Sequence, residues 1–209
     1  MEEPAPHLLP FDRAVLARPA PEVAPLLLGA QLTHASAQGT VAITITEVEA
    51  YDGERDPASH AYRGKTARNA VMFGPPGHLY VYFSYGMHWC ANIVTGPAEY
   101  ASGVLIRAGR VTWGAPLARQ RRGMAVPEHH LARGPACLTQ ALGIDRTHAG
   151  TDLLGGSALT LSPRPDSQVV TTANGPRVGV RLAADVPWRW WIAGDPTVSS
   201  YRRNHRASP

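Results

Sequence analysis

Two carboxylates, Glu47 and Glu49, stand at i and i+2 in Glu47-Val48-Glu49-Ala50-Tyr51, and a strand places both on one face together with Tyr51. Carboxylates at that spacing repel, which raises a proton affinity unless a cation pairs them, so a buried glutamate here can serve as a general base. A solvated glutamate at a sheet edge is the competing structural reading. The second group is aromatic: Tyr51, Tyr80, Tyr82, Tyr85 and Trp89, interleaved with His60, His78 and His88. Tyr80 and Tyr82 alternate with Leu79, Val81 and Phe83, so the apolar face can pack a core while the tyrosines face a cleft; taken alone, ordinary sheet packing accounts for the pattern. The third is Gly64-Lys65-Thr66-Ala67-Arg68-Asn69, which lacks Walker spacing and is either an exposed loop or a seat for a backbone phosphate. The fourth is a loop through Arg119, Arg121, Arg122 and Arg133, for which a solvated charge run is the default. His129-His130, Cys90 and Cys137 lack zinc-site spacing, and there is no H-E-x-x-H, G-x-S-x-G or G-x-G-x-x-G, so no metal ligands and no dinucleotide are expected.

The elements that must position these groups are mostly strands. Residues 10–29 read as two helical pieces, Ala14–Ala17 and Val23–Leu28, separated at Pro19–Pro21. Strands follow at Ala30–Thr33 and Gly39–Tyr51, the second with Val41, Ile43, Ile45, Glu47, Glu49 and Tyr51 on one face. Gly77–Ser84 and His88–Val94 form a hairpin through Ser84-Tyr85-Gly86-Met87, with glycine supplying a positive φ and Tyr85 at the tip. A strand at Gly103–Ala108, a helix at Pro135–Leu142 with proline at its first position, and late strands at Arg177–Leu182 and Trp188–Ala193 complete an α+β fold with a mainly antiparallel sheet.

At 209 residues the chain is one domain with a real core, burying about 70% of its unfolded surface. Hydrophobic residues at 44% against 17% charged exclude a disordered chain, and no apolar run approaches the roughly 20 residues of a membrane span. Residues 1–10 read as a flexible arm, 11–201 as the domain and 202–209 as a polar tail. Met1-Glu2-Glu3-Pro4 carries acids where a secretory signal needs bases, and two cysteines make no disulfide framework, so a cytoplasmic location is expected. Residues 1–60 hold nine acids and three bases, whereas residues 61–209 hold seven acids and seventeen bases. That asymmetry points to a polyanion partner for the later part of the chain.

Residues 47–107 carry a resemblance. Glu47-Val48-Glu49-Ala50-Tyr51, Ala58-Ser59-His60, Thr66-Ala67-Arg68-Asn69, Gly77-His78-Leu79-Tyr80-Val81-Tyr82, Tyr85-Gly86-Met87, Cys90-Ala91-Asn92-Ile93 and Val104-Leu105-Ile106-Arg107 closely resemble, in order, the alkyladenine (3-methyladenine) DNA glycosylase family. Gly134-Pro135, Arg177-Val178-Gly179-Val180 and Gly194-Asp195-Pro196 extend the likeness over roughly residues 23–200. The resemblance implies a single α+β domain with a curved antiparallel sheet, and a monofunctional enzyme, monomeric and without metal or cofactor. Such an enzyme flips damaged purines out of double-stranded DNA and hydrolyses the N-glycosidic bond. By the same resemblance Glu49 activates water, Arg107 helps hold Glu49 and that water, Tyr51 and Tyr82 sandwich the base, and His60 contacts its edge. Asn92 rejects the guanine amino group, Tyr85 wedges into the minor groove, and Lys65, Arg68, Arg121 and Arg122 are candidates for backbone contacts. Neutral lesions need a protonated leaving group, and no second carboxylate is clearly placed to supply the proton, Glu47 being a candidate. A damage-binding module that does not cut, or a free-nucleoside hydrolase, are the alternatives; the first has no use for Glu49 and Arg107, the second none for the Tyr85 wedge.

Overall fold

The computed structural model describes residues 11–84 and 86–208, so the expected arm at 1–10 and Tyr85 lie outside the described residues. Eight strands, β1 Gln31–Ser36, β2 Gly39–Asp52, β3 Leu79–Ser84, β4 His88–Thr95, β5 Ser102–Trp113, β6 Leu159–Ser162, β7 Thr172–Gly175 and β8 Arg189–Ile192, form one antiparallel sheet. Its order is β3-β4-β5-β2-β1-β6, with β8 also on β2 and β7 on β8. Helices α1 Arg13–Leu16, α2 Ala20–Val23, α3 Ala115–Arg122 and α4 Pro135–Leu142 surround it. This is the α+β, mainly antiparallel architecture that the sequence predicts.

Period-two alternation divides the central strands between two faces. Leu79 and Val81 of β3, Ala91 and Ile93 of β4, and Val104 and Ile106 of β5 enter the main core. Their neighbours Tyr80, Tyr82, Cys90, Asn92, Leu105 and Arg107 line a cavity on the other face. A smaller apolar cluster built on Met72, Phe73, Tyr80 and Val94 supports that second face. The β3–β4 turn closes as expected, with the Met87 N–H donating to Ser84 O at 3.1 Å and Gly86 at φ 66°.

Four sequence expectations are corrected. Val41, Ile43 and Ile45 do not share a face with Glu47, Glu49 and Tyr51; they join Val48 and Ala50 in the core. The register shifts between Ile45 and Glu47 and again between Glu47 and Val48, so Thr46 on β2 and Arg107 on β5 are left without directly opposed partners. An extra residue in a two-residue repeat turns every later side chain over. This bulge takes both glutamates out of the core face. At Ile45's partner, Gly109, a Cβ would stand 2.6 Å from the Ile43 side chain, so the crowded β2–β5 crossing needs glycine there. Second, α2 begins at Ala20, with Pro21 in its first turn, where its missing N–H costs nothing. Third, the expected arginine loop starts as α3, with Pro116 in its first turn and Gly123 after its end. Fourth, Arg177–Leu182 is not a strand; Val178 and Val180 instead wall the cavity and Leu182 is exposed. The polar end lies back on this loop, where the Gly179 N–H donates to Arg202 O and the Ser208 N–H to Arg181 O.

Candidate active site

The cavity encloses about 510 Å³. Tyr80 and Tyr82 stack offset at 5.6 Å, and His60 stands edge-on to Tyr82 at 4.5 Å and 81°, the arrangements that ring quadrupoles favour. Tyr51 of β2 reaches the same space, with Asn92 and Arg107 among the lining groups. The Asn92 side-chain amide donates to Tyr80 O at 3.2 Å, which fixes it against the strand it pairs with. His60 owes its position to Asn69. That buried amide donates to His60 O and Gly64 O, both at 3.0 Å, while its own oxygen accepts from Thr66 N–H at 2.6 Å.

Behind Tyr51 and Arg107 lies Glu49, with no exposed surface. Two hydrogen bonds reach it, the Val178 N–H at 2.6 Å on Oε1 and the Tyr51 hydroxyl at 2.8 Å on Oε2, and Arg107 Nη1 forms an ion pair with Oε2 at 3.3 Å. A carboxylate offers about four acceptor positions, two on each oxygen, so Oε1, with its one hydrogen bond, keeps an open position. Burial, followed by the Glu49 charge, raises the Tyr51 phenol well above its ordinary value, so it stays a donor. Burial opposes the charge of Arg107, but Glu49 and Glu47 outweigh it and raise its pKa.

Arg107 joins the two glutamates, with its Nε 3.2 Å from Glu47 Oε1. Glu47 is equally buried and accepts also from Arg189 Nε at 2.6 Å and from the Ser199 N–H and hydroxyl at 2.7 and 3.0 Å. The solvated-edge reading of the pair is therefore overturned. Glu47 ties β2, β5, β8 and the 195–199 turn together behind Arg107.

The Val178 donor depends on its neighbour. Arg177 is buried, pairs with the fully buried Asp56 through two bonds of 2.5 and 2.9 Å, and donates to Ala50 O at 3.0 Å. Its guanidinium lies 4.8 Å from the Tyr51 ring centroid and 5.3 Å from that of Trp188, a cation–π geometry. One arginine thus backs an aromatic wall and holds the backbone that meets Glu49.

The sequence model of the methylpurine-DNA glycosylase family matches residues 14–196. The chain belongs to that family. It is also similar to three bacterial relatives whose provisional name is 3-methyladenine DNA glycosylase. The one from Streptomyces avermitilis is 54% identical, covering 95% of this chain and 94% of its own. The one from Leifsonia xyli is 52% identical over 90% of each, and that from Cutibacterium acnes 50% identical over 90% and 98%. Like its family, the chain is a DNA N-glycosylase of alkylation repair, a hydrolase that acts on DNA.

Within this methylpurine-DNA glycosylase, Tyr51, His60, Tyr82, Asn92 and Arg107 come together around one cavity, with Glu49 immediately behind. Arg68 also lines it, exposed, and donates to Phe83 O at 3.3 Å. Lys65 is exposed and lies 3.4 Å from Glu99. Arg121 is not brought to the site: it donates to Ser36 Oγ, Gln38 Oε1 and Ala141 O at 3.0–3.1 Å, tying α3 to the β1–β2 turn and α4. Arg122 faces a separate cavity beside α4. The sequence alone assigned no role to Asp56, Asn69 or Val178, and Tyr80 was expected only as a cleft-facing neighbour of Tyr82; Arg177-Val178 lay inside a matched segment and was the available signal. Among the described residues no three His, Cys, Asp or Glu side chains are grouped to hold a metal.

Burial is also the largest influence on His60 and His34, and it lowers both from the ordinary 6.5. The unfolded chain then binds these protons more readily than the folded one. Stability is fully present above pH 6.5 and declines as pH falls through the lower folded values. NMR titration of the imidazole resonances is expected to give midpoints below 6.5 for both residues; ordinary midpoints refute the desolvated geometry.

Proposed function

We propose that this protein extrudes alkylated or deaminated purines, the class of 3-methyladenine, 7-methylguanine, hypoxanthine and ethenoadenine, from duplex DNA and hydrolyses their N-glycosidic bonds. The observation that carries this reading is a buried carboxylate, Glu49, hydrogen-bonded by Val178 and Tyr51, paired with Arg107 and set directly behind an aromatic cavity. The base stacks between Tyr51 and Tyr82, worth roughly 1–3 kcal/mol per base–aromatic contact, with a further cation–π gain when the purine carries a positive charge. His60 meets its edge, and the immobilised Asn92 amide crowds a 2-amino group, which disfavours unmodified guanine, while the cation–π gain offsets that crowding for 7-methylguanine. Tyr85, between Ser84 and Gly86 at the hairpin turn, fills the place of the extruded nucleotide.

Glu49 takes a proton from water through the free acceptor position on Oε1. The hydroxyl adds to C1′, and the C1′–N bond breaks with its electron pair leaving on the purine. A cationic alkylpurine leaves as a neutral base and needs no acid. Glu47 is unsuited to protonate neutral lesions, because Arg107, Arg189 and Ser199 occupy it from behind. The names of the relatives and the family support DNA as substrate; the pocket chemistry supports damaged purines, and action as a monomer suits scanning of a duplex.

The test is single-turnover excision on a labelled duplex holding one 7-methylguanine, with a parallel duplex holding ethenoadenine. Strand cleavage is expected only after alkali, the mark of an abasic product made without strand scission. Lesion binding without alkali-labile sites on either duplex refutes the catalytic reading in favour of a damage binder.

A further inference from the structure

A second cavity, of about 300 Å³, is lined by Arg122, His130, Arg133, Cys137, Ser199 and Ser200. It is set close to the first. Pro135 of α4 lines the base cavity and Cys137, two residues on, lines this one, so less than one 5.4 Å helical turn separates them along α4. Ser199 belongs to both networks, since Arg107 Nη2 donates to its hydroxyl at 3.3 Å.

The charge of this cavity is uncompensated. Among the described residues neither Arg122 nor Arg133 has a carboxylate within 4.0 Å. Carboxylates are not lacking nearby, because Arg119 on the same helix as Arg122 pairs with Glu128 at 3.6 Å. Both guanidiniums are instead held rigidly by neutral acceptors. Arg122 spends one N–H per nitrogen on Leu131 O, Gln140 Oε1 and Cys137 Sγ, leaving two of five. Arg133 donates Nε–H to Val198 O at 2.8 Å and one Nη1–H to His130 Nε2 at 2.7 Å, leaving three. Because arginine can only donate, His130 Nε2 accepts and its Nδ1–H is left as a further donor. The first turn of α4, which no side chain among the described residues caps, adds positive potential. Pre-oriented guanidinium forks without a counter-ion suit the oxygens of a phosphodiester.

We propose that Arg122, Arg133, His130 and Ser200 form a phosphodiester subsite that grips the DNA backbone next to the extruded nucleotide. The proposal rests on the first cavity being the base pocket. It places the grip on the groups that also carry Ser199, so backbone docking and the Arg107–Glu49 pair share one rigid support.

The experiment is a phosphate scan by equilibrium binding. Duplexes carry one uncuttable tetrahydrofuran abasic analogue and a single neutral methylphosphonate, moved over three positions on either side of it. For the intact chain one or two adjacent positions are expected to weaken binding about tenfold. Arg133→Gln and Arg122→Gln should bind the unmodified duplex more weakly, lose the response at those positions, and lower the slope of log Kd against log salt by about 0.9 for each lost contact. Sensitivity at no position, or variant and methylphosphonate effects that simply multiply, overturns the subsite. Displacement of DNA by micromolar inorganic phosphate without any sensitive position indicates a free-anion site and overturns it equally. If the glutamine variants melt early, Ser200→Ala and Arg133→Lys repeat the cycle at the sensitive position. Normal excision without coupling refutes the subsite alone; coupling without excision of any lesion refutes the glycosylase reading alone.

Discussion

A Glu49→Gln protein is expected to bind lesion-bearing duplex as tightly as the parent chain and to excise the base about 10²–10⁴-fold more slowly, the usual contribution of a positioned general base. The substitution preserves shape. Its carbonyl oxygen can keep the Val178 N–H bond, and its amide can turn toward Tyr51, whose hydroxyl oxygen is able to accept. Arg107 loses one carboxylate but keeps Glu47, so the fold and the aromatic walls survive. What disappears is the acceptor that takes the proton from water. Single-turnover rates beside binding isotherms read the two effects separately. Turnover within a few-fold of normal removes Glu49 from the mechanism, whereas parallel loss of binding and cleavage makes it a structural residue.

Asp56→Ala is expected to destabilise the protein by about 3–5 kcal/mol, the cost of stripping one partner from a buried ion pair. Both side chains are wholly inaccessible. Among the described residues Arg177 Nε already lacks an acceptor, and removing Asp56 leaves the guanidinium with only Ala50 O and Ala183 O among them. The consequence reaches the cavity, because the same arginine stacks behind Tyr51 and adjoins the Val178 amide on Glu49. Urea unfolding followed by fluorescence measures the loss. A midpoint shift equivalent to less than 1 kcal/mol contradicts a dry, mutually dependent pair. Asp56→Asn, which keeps one acceptor oxygen, is expected to fall between.

Much of the site was legible because its residues lie on alternating strands. Tyr80 and Tyr82 oppose Leu79 and Val81 as a two-residue repeat requires, and Pro135 with Gly143 brackets α4 from N1 to its left-handed cap. The helix α3 carried similar punctuation in Pro116 and Gly123, yet its three arginines concealed it. Val178 and Val180 alternate genuinely, but the apolar side they form closes a cavity and pairs with no strand.

By itself the sequence determined what is local or repeated: strand periodicity, the glycine turn below Tyr85, the late excess of arginine, and a set of motifs in family order. Tertiary structure decided what depends on distant partners. Thr46 turns Glu47 and Glu49 away from the core through a register shift that no alternation pattern can display, since an inserted residue is invisible until the opposing strand is known. The two glutamates also differ only by their surroundings. Glu47 is enclosed by Arg107, Arg189 and Ser199, while Glu49 keeps an open acceptor position on Oε1 behind an aromatic wall. Burial of a charge requires compensating groups from elsewhere in the chain, 60 to 152 residues away for Glu47, and only the folded molecule brings them together.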